Sequence, residues 1–150
     1  MSKSNTFETN LLQHIFNNSA IANVGDATGL PAAGTVGDLY VRLYTDAITV
    51  DDATIGTECA YTGYVAGGVA VIRSGAGWTV ASGSVSNAAI VIFGPCSAGS
   101  ENVKYFGVWK DNATGTDSHR IYWGQLTSDL AVSSGITPEF AIGALVVNED

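Results

Sequence analysis

Hydrophobic positions change period once along the chain, from helical spacing near the N-terminus to alternation afterwards. In "NTFETNLLQHIFNN", Phe7, Leu11, Leu12, Ile15 and Phe16 recur at the spacing of an amphipathic helix. Asn5 can cap its start, with Glu8 three residues on in a capping-box position, and Asn17 and Asn18 close it. At about 100° per residue the apolar positions form two stripes. Phe7, Leu11 and Ile15 make one, and Leu12 and Phe16 lie beside it. Together they span about half the circumference, wider than a helix that touches one surface needs. All five are therefore candidate interface residues. The expectation is that Phe7, Leu11 and Ile15 hold the helix on its own domain while Leu12 and Phe16 face a neighbouring chain.

After a Gly/Pro/Ala-rich connection (25–37) the period becomes two. "DLYVRLYT" sets Leu39, Val41 and Leu43 on one face and Tyr40, Arg42 and Tyr44 on the other. Further strands are expected at 60–65, 69–73, 78–81, 88–93, 103–110, 119–126 and 140–147. Gly67-Gly68, Ser74 to Gly77, Ser82 to Ser84 and Asp111 to Thr116 punctuate them. About eight short strands and one N-terminal helix predict an all-β, jelly-roll-like antiparallel β-sandwich. Its expected core is Leu39, Val41, Leu43, Val80, Val91, Phe93, Val108, Leu126 and Phe140. The organisation expected is one domain over 1–150, with 1–36 as helical arm and connection and 37–150 as the sandwich.

Composition narrows the function classes. Apolar residues make up 46% and charged residues 13% of 150 positions, which argues against disorder. The net charge of −8 reflects scarce basic residues, six in all at 3, 42, 73, 104, 110 and 120, with no basic patch. Direct binding to nucleic acid or to an anionic membrane is therefore not expected. The longest wholly apolar run, Ala88 to Phe93, is far shorter than the roughly 18 residues of a membrane span. "MSKSNTFETN" lacks the apolar core of a secretion signal, so synthesis in the cytoplasm is expected. Cys59 and Cys96 are then free, buried thiols.

The stretch "GTDSHRIYWG" places Asp117, Ser118 and His119 side by side, the residue types of a hydrolase triad. Adjacent strand residues point to opposite faces, and a triad draws its base from a different element. "VKYFGVWK", "DNATGTDS" and "HRIYWGQL" read instead as a hairpin with its loop. His14 is the only other histidine, so no metal cluster is expected, and Asp51-Asp52 reads as a solvated turn. Asn17-Asn18-Ser19 and Asn112-Ala113-Thr114 match the glycosylation pattern by chance in a cytosolic product. No catalytic residue, cofactor or metal is expected. Trp78 is expected in the core, and Trp109 and Trp123 on paired strands, where they fill the core, pair across strands or line a ligand groove.

Nearly end to end the sequence resembles a family of small virion proteins of tailed bacteriophages. The segments that carry the resemblance are "SKSNTFETNLLQHIFNN", "IANVGDATGL", "GDLYVRLYT", "AYTGY", "RSGAGWTV", "VSNAA" and "YWGQLTSDLAVSSGITPEFAIGAL". The chain departs from the family pattern at "VAGGVAVI" and at 111–118, both turn regions. Members are often labelled tail fibre proteins, and the resemblance implies a jelly-roll decoration, or cement, protein on the capsid exterior. The implied partners are the major capsid protein and further copies of the chain, as homodimer or homotrimer. The implied location is the virion surface. The alternative is a tail fibre module binding a host carbohydrate or a neighbouring tail protein.

Overall fold

The computed structural model describes residues 2–48, 56–113 and 119–149. Among them are one helix, α1 (Asn5–Asn17), and nine strands: β1 (Asp38–Tyr44), β2 (Val69–Ile72), β3 (Trp78–Ala81), β4 (Ser84–Asn87), β5 (Val91–Ile92), β6 (Ser100–Trp109), β7 (Arg120–Ser133), β8 (Glu139–Phe140) and β9 (Val146–Asn148). They form three sheets, ordered β2-β1-β6-β7, β3-β4-β9 and β5-β8. The expected all-β sandwich class, with a single N-terminal helix, is the class the chain adopts. The division of the chain does not fall at 36/37. Residues 1–38 cluster with 72–90 and 140–150 in one compact unit, and 39–71 with 91–139 in a second.

In the first unit, α1 begins one residue earlier than the sequence suggests. Ser4 is the N-cap, its Oγ accepting from the Phe7 N–H at 3.3 Å. Asn18 ends the helix in the left-handed conformation that asparagine tolerates. Its side-chain amide exchanges two hydrogen bonds with the Ala33 backbone, which fixes the connection that follows. Arg73 satisfies carbonyls left open in the last turn, its Nε donating to Ile15 O at 2.7 Å and its Nη2 to His14 O at 2.8 Å. The stripes on α1 are reversed from the expectation. Leu12 and Phe16 are fully buried against this chain's own β3–β4 sheet, Leu11 and Ile15 are half-buried, and Phe7 is 38% exposed. The narrow stripe wins because Trp78 stands on the inner face of β3 and takes Phe16 edge-on, centroids 4.8 Å apart. Burial of the two side chains contributes about 1.5–3 kcal/mol each.

Pairing of β3, β4 and β9 aligns Trp78, Val80, Val85, Asn87 and Val147 on that inner face. The turn between β3 and β4 is Ser82-Gly83, both at positive φ, the primed geometry that suits a two-residue hairpin. Ser84 belongs to the strand, so the expected turn of 82–84 is one residue too long. Of the expected strand at 88–93 only β5 forms, and β4, which was not expected, ends just before it at Asn87. Buried Asn87 causes the break: its Nδ2 donates to the carbonyls of Ala89 and Ala141, and its Oδ1 accepts from Leu145 N–H. The expected strand at 140–147 likewise splits into β8 and β9 around a turn in which Ala144 N–H reaches Ala141 O.

In the second unit, β6 and β7 form the expected hairpin, antiparallel from Trp109↔Arg120 to Ser100↔Ser133. β7 runs seven residues past the expected end at Leu126. Residues 126–129 bulge opposite Lys104, and Asp129 is held there by Asn102 Nδ2 at 2.9 Å. The segment 60–65 is not a strand. Tyr61 and Tyr64 bracket a turn at Gly63, and their hydroxyls donate inward to Gly94 O and Glu58. Of the expected core, Leu39, Val41, Leu43, Val91, Phe93 and Val108 are buried, while Val80, Leu126 and Phe140 are only half-buried. Cys59 and Cys96 are buried free thiols.

Candidate functional site

Where β1, β6 and β7 lie side by side, cross-strand register sorts side chains into two faces. One is apolar: Val41 lies opposite Val108 and then Tyr122, and Leu43 opposite Phe106 and then Gly124. The Phe106 ring rests on Gly124, where a β-carbon would stand 2.8 Å from it. The other face is aromatic and polar. Tyr40 lies opposite Trp109, Arg42 opposite Gly107 and then Trp123, and Tyr44 opposite Tyr105 and then Gln125. Tyr44, Ile48 and Trp109 are buried there, and Tyr40, Tyr105 and Trp123 pack partly buried around them.

Arg42 is the polar centre of that face and is 1% exposed. Its guanidinium carbon lies 4.0 Å from the Trp109 ring centroid, a cation–π contact. Its charge meets Glu58 at 3.7 Å, and Nη2 donates to the carbonyls of Asp111 and Ala113 at the start of the hairpin loop. Glu58 in turn accepts from the Tyr64 hydroxyl and the Gly67 N–H, both at 2.9 Å. Burial, then the Glu58 carboxylate, pushes the phenols of Tyr44 and Tyr64 well above the usual tyrosine range.

The period-two pattern of "DLYVRLYT" put Tyr40, Arg42 and Tyr44 on one face, and the hairpin brought Trp109 and Trp123 beside them. Sequence reasoning missed Glu58 and Tyr64, which lie in an irregular segment with no period to signal them. It also missed Gly107, whose meaning depends on its cross-strand neighbours. His119 is drawn to Asp111, Nδ1 to Oδ2 at 2.7 Å, while Asp117, Ser118, Thr114 and Asp51-Asp52 lie outside the described residues. The five helix residues Phe7, Leu11, Leu12, Ile15 and Phe16 belong to the other unit. Among the described residues no group of three or more His, Cys, Asp or Glu could hold a metal ion, and no helix is long and apolar enough to cross a membrane.

Residues 2–148 match the family model of podophage GP4 fiber I protein gp80. The chain belongs to this family. It is thus a structural protein of a bacteriophage virion, in agreement with the resemblance read from its sequence. No curated protein matches the chain in a sequence search. Membership in the gp80 fibre family directs attention to surfaces that bind, and the aromatic face of β1, β6 and β7 is the most chemically distinctive of them.

Proposed function

We propose that the chain is a non-catalytic building block of a virion fibre, held in place by protein–protein contacts with further copies of itself and with a neighbouring virion protein. The observation that carries this reading is the match to a fibre protein over residues 2–148. The small charged share and the net charge of −8 fit a module that packs closely and leaves packaged nucleic acid alone. Repetition along a fibre lets modest contacts add by multivalency, as a homodimer or homotrimer. Phe7, with the half-buried Leu11 and Ile15 behind it, is the part of α1 left to such contacts once Leu12 and Phe16 are used internally.

The test is to image virions carrying a gold-labelled tag on this chain. Label on fibres at the tail is expected. Label spread over the head shell would instead support decoration of the major capsid protein on the capsid exterior, the alternative implied by the sequence resemblance. Purified chain incubated with cell-wall and polysaccharide substrates should leave them intact, and reproducible turnover would remove the non-catalytic part of the reading.

A further inference from the structure

α1 covers the inner face of the β3-β4-β9 sheet, while Thr79, Ala81, Val146 and Asn148 on its outer face are exposed. The turn that leads into β9 is apolar. Ala141, Ile142, Gly143 and Ala144 are all exposed, Ile142 by 67%, and Ile90 and Val146 beside them by 49% and 45%. One nitrogen holds the two isoleucines close together. Asn87 Nδ2 donates to Ala89 O at 2.7 Å and to Ala141 O at 2.8 Å, and Ile90 and Ile142 are the next residues along. The Asn87 carbonyl also accepts from the Gly143 N–H at 2.9 Å, so the turn is pinned twice by one residue. A pinned apolar turn has little freedom to lose on binding, which suits it as an interface anchor. Single exposed hydrophobics are ordinary, but three grouped on one rigid feature mark a contact surface.

Charge selects the occupant. No Asp, Glu, Lys, Arg or His occurs from 74 to 90 or from 140 to 148, although the chain carries fourteen acidic residues and a net charge of −8. A partner that docks through its charge finds nothing to pair with here. Two copies of the chain repel one another through their excess carboxylates, and this surface lets them meet without setting those carboxylates face to face. We propose that the surface of Ile90, Ile142 and Val146 docks on the same surface of a second copy, like to like, as a closed dimer. The proposal rests on the reading of the chain as a repeated fibre block, and it puts the self-contact on the side of the sheet away from α1.

The experiment follows the mass of the full chain by sedimentation equilibrium over a dilution series that starts at about 100 µM. Twice the chain mass is expected at the concentrated end. Ile142→Asp and Ile90→Asp each put a carboxylate into the contact and should weaken association about tenfold or more. Both positions lie outside the strands, and thermal melting checks that the variants fold. Val65→Asp, at a position 66% exposed in the other unit, should leave association unchanged. Four outcomes overturn the proposal: a monomer throughout the series, a trimer (which like-to-like docking does not build), association unchanged in both isoleucine variants, or an equal loss in Val65→Asp. The labelled-virion image is independent of these. Label on fibres with a monomeric chain removes this surface alone. Label on the head with the dimer intact removes the fibre reading and leaves the surface.

Discussion

Phe16 meets Trp78 with ring centroids 4.8 Å apart and planes inclined at 66°, and both side chains are fully buried. This pair anchors α1 to the sheet beneath it, so stability and surface roles divide along the helix. Phe16→Ala should cost about 3–5 kcal/mol in urea unfolding, as large-to-small changes in a packed core do. Phe7→Ser, at a position 38% exposed, should cost about 0.5 kcal/mol or less. Equal losses for the two variants would show that the buried stripe holds the helix no more strongly than the exposed one.

Asn87 is the second anchor of the same unit. It is 1% exposed, and its amide serves the carbonyls of Ala89 and Ala141 and the N–H of Leu145. Replacing it by leucine supplies apolar volume but leaves the buried Leu145 N–H unpaired, at about 1–3 kcal/mol, and forfeits the two part-buried bonds to Ala89 and Ala141. Asn87→Leu should therefore lower stability by about 2 kcal/mol or more. Amide exchange at Leu145 should rise well above the rate set by global unfolding, and an unaltered rate would show that its N–H does not depend on Asn87.

The legible parts of the fold were those where one periodicity ran uninterrupted. The helix, β1 and the β6–β7 hairpin carry their patterns over whole elements, and the structure keeps them. β4 escaped notice because "SVSN" has one apolar residue among polar neighbours, and only its pairing to β3 and β9 makes it a strand. The run 88–93 misled in the opposite sense. Its continuous hydrophobicity says nothing of the bend that the Asn87 side chain imposes by capturing Ala89 O. On α1, amphipathicity located both stripes but not their order, since the position of Trp78 decides that and it lies more than sixty residues away. Half of the aromatic face was visible in the Tyr-Arg-Tyr alternation of β1. The close approach of the Trp109 indole to Gly107 and the carboxylate of Glu58 became meaningful only in register.

The tyrosines of the second unit give an alkaline signature. Burial, reinforced by Glu58, raises Tyr44 and Tyr64 well above the ordinary phenol range, and burial pushes Tyr61 up to about 12. The folded values exceed the unfolded value of about 10, so the folded state keeps these protons after the unfolded chain has lost them. Stability is then full below about pH 10 and falls as pH climbs through the raised values. Absorbance at the phenolate band should show a late phase that coincides with unfolding by circular dichroism. Glu58→Gln should bring part of that phase to lower pH. If all phenols ionise in one early step with the fold intact, Tyr44 and Tyr64 are not shielded as described.

Asp111 gives the acid counterpart. Its Oδ2 lies 2.7 Å from His119 Nδ1, and its Oδ1 accepts from the Ala113 N–H at 3.0 Å. The hydrogen bond from His119 is the main cause that holds its carboxyl below the usual aspartate range; partial burial opposes it, and the Ala113 N–H adds to it. A folded value below the unfolded value of about 3.9 means that the stabilisation is present above that pH and is lost as pH falls through the folded value. The effect is local as well as global, because the Asp111 carbonyl is also one of the two that take Arg42 Nη2. Asp111→Ala should lower the urea midpoint at neutral pH, with the difference from wild type shrinking steadily below about pH 4. The exchange rate of the Ala113 amide should rise in step with protonation of the carboxyl. A midpoint difference that stays constant down to about pH 2 would mean that the change acts through packing of the loop rather than through the charged carboxylate.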